Sequence, residues 1–408
     1  MQLRAVIEAI FRREYGRAVA VLTRFFGDLS LAEEAVQEAF ATALARWPTS
    51  GIPPSPAGWL ITTARNKALD RLRRESTRAE REHAGQVLIE HEEIEEHDVR
   101  DNHLRLIFTC CHPALACESQ VALTLRLLGG LTTDEIGRAF LTPVPTIAQR
   151  ISRAKGKISD AGIPYRVPEA AELPARLHTV LMVVYLIFNE GYIASSGDQL
   201  VRPDLCDEAI RLGRQLAELL PEESEVIGLV ALMLLIDARR TAREAGRSFV
   251  RLADQDRNLW DQLQIEEGRY LLRICLERNR PGPYQLQAAI NAVHCDARTA
   301  ADTDWHQILV LYDHLMGIAP SPVVALNRAV VVAELEGAER ALRLVDAIEL
   351  PHYHLFHAVR ADLLSRLGRF PDAASAYRIA IDQCANQMER DFLVQQYRSL
   401  NRGATSDS

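Results

Sequence analysis

The chain has 408 residues, 48% of them hydrophobic, and a net charge of −8. Length and apolar content supply cores for two or three domains and exclude a disordered chain. The acidic balance excludes a protein that is basic all over, so a nucleic-acid site has to be local.

Residues Met1 to Tyr15 interleave Arg4, Glu8, Arg12, Arg13 and Glu14 with apolar side chains, so no secretory signal is expected. The longest apolar runs, Val180 to Phe188 and Val226 to Ile236, are about half the ~20 residues a membrane-spanning helix needs, and read as buried helix. A cytoplasmic protein that spans no membrane is expected. Seven cysteines without a Cys-x-x-Cys pair point to free thiols.

Apolar residues at three and four spacing, Leu31, Ala35, Val36, Ala39, Phe40 and Ala43, predict a helix. Ser30 is its expected N-cap, with Glu33 completing a capping box. The prolines of Pro48 to Pro56 predict a loop, and a second helix is expected from about Ala57 to Arg74. Charge then changes in blocks: seven basic and three acidic residues from Arg65 to Arg81, eight acidic and one basic from Glu82 to Asp101, five basic and no acidic from Arg138 to Lys157. That order suggests two nucleic-acid-facing modules joined by an acidic linker, or else a row of solvated helix faces.

Thr132 to Lys157 carries the sharpest local pattern. Thr132 caps a short helix, Thr133 to Phe140, with Ile136 and Phe140 inward. Pro143 forbids its continuation, and Pro145 suits the first turn of a second helix running to Lys155. Ile147 and Ile151 face inward, leaving Thr146, Gln149, Arg150, Ser152 and Arg153 outside. In a helix-turn-helix this second helix enters the major groove, where such side chains contact phosphates and base edges. A plain helical hairpin is the alternative.

Three segments in order resemble the extracytoplasmic-function (ECF) sigma factors of RNA polymerase. Asp28 to Trp47 (DLSLAEEAVQEAFATALARW) resembles the region 2 segment that docks on core polymerase. Pro56 to Glu75 (PAGWLITTARNKALDRLRRE) resembles the segment that opens the −10 promoter element. Gly130 to Ile158 (GLTTDEIGRAFLTPVPTIAQRISRAKGKI) resembles the region 4 helix-turn-helix that reads the −35 element. The resemblance implies polymerase-binding residues Asp28, Glu33, Glu34, Gln37 and Glu38, an acidic face suited to the basic clamp helices of the β′ subunit. It implies −10 contacts from Trp59, Arg65, Asn66, Lys67, Asp70, Arg71, Arg73 and Arg74, with the Pro48 to Ala57 loop holding a flipped base; for Trp59, core packing is the stronger expectation. It implies −35 contacts from Thr132, Pro145, Thr146, Gln149, Arg150, Ser152, Arg153 and Lys155, and places region 4 by the β flap. Leu141 and Pro145 stand where many such turns carry Gly.

Beyond residue 165, Ala361, Leu364, Gly368, Phe370, Ala373, Tyr377 and Ala380 match the tetratricopeptide pattern of close-packed helix pairs, though Ala385 replaces the expected Pro. IFNEGY at Ile187, TDW at Thr303 and SPVVALNRAV at Ser321 resemble the extension of one ECF subgroup. The expected fold is all-α: a region 2 domain over residues 1–80, an acidic linker over 81–101, a region 4 domain over 102–165, and a tetratricopeptide-like solenoid over 166–408. A solenoid offers a concave face to a peptide or protein, and the resemblance implies that this extension modulates sigma activity. The partners implied are core RNA polymerase and promoter DNA.

Enzyme motifs are missing: no Gly-x-x-x-x-Gly-Lys-Ser/Thr, no Gly-x-Gly-x-x-Gly and no Gly-x-Ser-x-Gly. Cys110, Cys111, His112 and Cys117 do not match zinc spacing, and His352, His354 and His357 read as ordinary helix histidines, so no metal or cofactor is expected. The competing reading is a free-standing helix-turn-helix regulator with a solenoid sensor domain. It leaves the Asp28 to Glu75 block without a use.

Overall fold

A computed structural model describes residues 2–75, 96–140, 142–194, 198–245 and 248–403. Eighteen α-helices carry the described chain, with one antiparallel pair of two-residue strands, Glu244–Ala245 (β1) and Ser248–Phe249 (β2). The all-α expectation holds. The chain divides into two units, residues 1–186 and 187–408.

The first unit opens with α1 (Gln2–Phe26), α2 (Leu29–Ser50) and α3 (Pro56–Glu75). They pack around Val19, Leu22, Val36, Phe40, Trp47, Leu60 and Ala64, all buried. The cap of α2 is Asp28, not Ser30: the Asp28 carboxylate accepts from the backbone N–H groups of Ser30 (2.7 Å) and Leu31 (3.1 Å). Both residues are good N-caps, and the earlier one lengthens the helix by two residues. Glu33 is released from the expected capping box to act elsewhere. Pro48 lies inside α2 and not in a loop, because the helix runs on to Ser50 and ends at Gly51, φ 79°. This close to a helix end, proline forfeits only one of the last backbone bonds.

Four more helices follow, α4 (Glu96–Cys110), α5 (Cys117–Leu127), α6 (Thr133–Ala139) and α7 (Val144–Asp160). The residues expected as an acidic linker lie outside the described chain up to 95, while Glu96 onward is already helix. Thr132 caps α6 as expected: its hydroxyl accepts from Glu135 N–H at 3.2 Å, and Glu135 Oε2 accepts from Thr132 N–H at 2.7 Å. Ile136, Ile147 and Ile151 are buried. Leu141, in the turn, lies outside the described residues.

Helix α8 (Leu173–Tyr192) carries the first long apolar run, and its Arg176 donates to the Phe108 carbonyl at 2.6 Å. In the second unit, α9 (Pro203–Leu219), α11 (Gln262–Arg278) and α12 (Pro283–Asp296) surround α10 (Ser224–Asp237), whose Val226 to Ile236 run is wholly buried. A helix apolar all round has to be a central one. After α13 (Trp305–Ile318) come α14 (Pro322–Glu336) with α15 (Ala338–Asp346), and α16 (His354–Arg366) with α17 (Phe370–Gln383), each pair turning at a positive-φ glycine, Gly337 or Gly368. Ala361, Leu364, Ala373, Tyr377 and Ala380 are buried between α16 and α17, as their small-residue spacing predicts. The last helix is α18 (Gln387–Gly403). Asn386 fixes its start: Oδ1 accepts from Met388 and Glu389 N–H, while Nδ2 donates to the Ala194 and Gln199 carbonyls at 3.0 and 2.8 Å.

Among the described residues no helix is long and apolar enough to cross a membrane.

Candidate polymerase and nucleic-acid interface

The acidic residues of α2 do not share one fate. Glu34 and Glu38 are exposed and face the basic side of α3, Glu34 pairing with Arg71, and Glu38 lying 3.9 Å from Lys67. Pairs this exposed contribute little stability, about 0–1 kcal/mol each, so they can be exchanged for other partners. Asp28 is exposed and committed to its cap.

Glu33 is different. Only 4% exposed, it accepts from Arg126 Nε at 2.6 Å and from Lys155, and its Oε1 also accepts from Gln37 Nε2 at 2.9 Å. Gln37 reaches on to the Tyr15 hydroxyl at 3.3 Å, and burial together with the Glu33 charge holds that phenol well above its usual range. Arg126 belongs to α5 and Lys155 to α7, so the carboxylate joins α2 to both of these later helices.

The backbones are fitted to the same contact. Gly16 of α1 lies so close to Leu128 that an added Cβ would meet its Cα and carbonyl oxygen at 3.1 Å. Gly130 sits at φ 69°, where an added Cβ would fall 2.7 Å from the Phe11 ring. The Tyr165 hydroxyl bridges the Ala20 and Asn102 carbonyls at 2.8 and 3.1 Å. Beside these contacts lies a cleft of about 880 Å³, lined by Glu33, Thr109, Arg126, Ser152, Lys155 and Tyr165 among others.

On α3, Trp59 is half-buried and meets Trp47 edge to face, centroids 5.3 Å apart. Arg65 lies over the Phe25 ring at 4.4 Å. Asn66, Asp70, Arg73 and Arg74 are exposed; Asp70 is 3.6 Å from Arg73, and Arg74 Nε donates to the Asp70 carbonyl at 3.1 Å. On α7, Pro145, Gln149, Ser152 and Arg153 are exposed, Thr146 and Arg150 half-buried, and Thr132 exposed at the preceding cap. Lys155 alone of this set is turned inward, to Glu33. Sequence reasoning missed Arg126, which carries no local signal of its distant partner.

Cys110 and Cys111 are buried, and burial pushes the Cys111 thiol up to about 12. Among the described residues, the group that brings three donor atoms within 4.8 Å is instead His354, Cys384 and Glu389. It is internally paired: His354 faces Glu389 at 3.4 Å, and the Cys384 thiol donates to the Asn386 carbonyl at 3.4 Å.

Residues 10–78 match sigma-70 region 2, residues 105–158 match sigma-70 region 4, and residues 176–276 match a family of unknown function, DUF6596. The chain therefore carries sigma-70 region 2 and region 4 domains, followed by an additional C-terminal domain. Sigma-70 proteins as a class are non-enzymatic transcription initiation factors that bind core RNA polymerase and promoter DNA. Among individual proteins, "Uncharacterized protein R00370" of Rhizobium meliloti (strain 1021) is 43% identical over 394 residues, 94% of this chain and 93% of that one. "Probable ECF RNA polymerase sigma factor SigI" of Mycobacterium tuberculosis (strain ATCC 25618 / H37Rv) is 28% identical over 40% of this chain and 58% of its own. "ECF RNA polymerase sigma factor SigK" of Mycobacterium ulcerans (strain Agy99) is 27% identical over 34% of this chain and 75% of its own. No solved structure matches.

Proposed function

We propose that the chain acts in the cytoplasm as an ECF sigma factor. It docks on the β′ clamp helices of core polymerase through Asp28, Glu33, Glu34, Gln37 and Glu38. It opens the −10 element with Trp59 and the basic face of α3, and sets α7 on the −35 element beside the β flap. One observation carries the reading: the matches to regions 2 and 4 fall in order on an acidic helix, a basic helix and a capped helix-turn-helix. Arg65, Lys67, Arg71, Arg73 and Arg74 supply backbone grip for an opened strand. Gln149, Ser152 and Arg153, exposed on α7, have the reach and chemistry for base edges and phosphates.

In this reading the C-terminal domain modulates sigma activity by binding a protein or peptide. A cleft of about 260 Å³ in it, floored by Phe249, Tyr377 and Phe392 and rimmed by Arg251, Asp362 and Arg366, is of a size for one apolar side chain of such a ligand. Core binding tests the assignment. A charge reversal at exposed positions, Glu34→Lys with Glu38→Lys, should weaken the full chain's affinity for core polymerase at least tenfold. Unchanged affinity would remove α2 from the docking surface.

A further inference from the structure

We infer that region 4 is an internal occupant of the polymerase-docking surface, and that a basic partner surface and region 4 compete for one carboxylate, Glu33. The inference rests on the sigma-factor reading of α2 and goes beyond it by assigning the unbound protein a closed state.

Glu33 stands among the residues proposed to meet a basic helical surface, yet it is buried and already holds two cations, Arg126 and Lys155. Those cations supply in cis the chemistry that a polymerase clamp would supply in trans. The same contact withdraws Lys155 from the helix proposed to read DNA. One ion-pair cluster thus takes a group from each proposed interface.

The contact is also selective. A buried carboxylate gives back most of its Coulomb gain in lost hydration, so its main effect is to favour one mutual placement of the two regions over others. The Gly16 and Gly130 approaches and the Tyr165 bridge serve that same placement, and each would be lost together on opening. Glu34 and Glu38, exposed and weakly paired, remain available to a partner before opening. Docking can therefore begin on them, and displacement of Arg126 and Lys155 from Glu33 follows as the partner's own cations arrive.

The affinity cost has a simple form: if one molecule in ten is open, the apparent dissociation constant is raised about tenfold, and releasing the latch recovers that factor. The variant to use is Arg126→Gln, because Arg126 belongs to neither proposed interface. Arg126→Lys keeps the charge and is the conservative control, and its melting curve beside that of Arg126→Gln verifies folding.

The full chain is labelled with donor and acceptor dyes on non-natural side chains at Arg46 and Asp160, both exposed, and read with and without core polymerase. The expected result is high transfer in the free protein, low transfer in the free Arg126→Gln variant and in the polymerase complex, and core binding about tenfold tighter for Arg126→Gln. Low transfer in the free protein, high transfer retained on polymerase, or unchanged affinity of a folded Arg126→Gln overturns the latch with the sigma reading intact. High transfer in a protein that never binds core polymerase overturns the sigma reading, and the competition with it.

Discussion

Arg126 donates to Glu33 at 2.6 Å across 93 positions of sequence, joining α5 of the region 4 match to the acidic helix α2 of the region 2 match. The bond lies beside the Gly16–Leu128 and Gly130–Phe11 approaches and the Tyr165 bridge, which join the same two groups of helices. Its neighbours in the fold give the first test.

Gly130 holds a left-handed turn, φ 69°, against Phe11. Gly130→Ala adds backbone strain and a steric conflict with a ring that itself packs on Tyr15 and Phe40. A loss of about 2–3 kcal/mol is expected from the two effects together. Urea unfolding followed by circular dichroism measures it; a loss below about 0.5 kcal/mol would mean that the contact is not held in solution.

Asn386 gives an independent test in the second unit. It is 1% exposed and serves four backbone groups, two N–H groups at the start of α18 and two carbonyls near Ala194 and Gln199. Asn386→Ala strands all four, for an expected cost of about 2–4 kcal/mol. Asn386→Asp keeps the cap but loses the donor, so it should fall between the two.

Acid should weaken the second unit in a defined window. Burial first, then the nearby Arg239 and Arg257 guanidinium groups, lower the His294 imidazole from 6.5 to about 3. Between those values the unfolded chain takes up a proton that the folded chain refuses. Stability contributed by neutral His294 is therefore present above pH 6.5 and lost as pH falls toward 3, by up to about 1.4 kcal/mol per unit. Urea midpoints between pH 7 and pH 5 should drop for the native sequence and drop less for His294→Gln.

Arg153, exposed on α7, is expected to grip a phosphate. In the polymerase complex, Arg153→Ala should weaken promoter binding on all sequences alike and lower the salt slope by about 1. A change confined to one −35 base would instead make Arg153 a base reader.

What the sequence made legible was local. The Thr132 cap, the Ile147 and Ile151 pair, and the small residues between α16 and α17 were each legible from local residue type and spacing, and each is where the sequence puts it. Ser30 and Pro48 misled because a competent cap two residues earlier, and a glycine stop three residues later, shifted the ends of α2 outward. Glu33 was legible as an acid on the α2 face but not as a buried one. Nothing near it in sequence foretells Arg126 or Lys155, and a side chain read as facing outward turned in once a distant cation met it.

The central claim is sigma activity, and run-off transcription tests it most directly. Core polymerase and a library of promoter fragments are combined with and without the full chain. Discrete transcripts that depend on the added chain, and that fall at least tenfold for Glu34→Lys with Glu38→Lys, are the predicted result. Tight binding of duplex DNA by the chain alone, with no transcript and no association with core polymerase, would contradict it and make the protein a free-standing regulator.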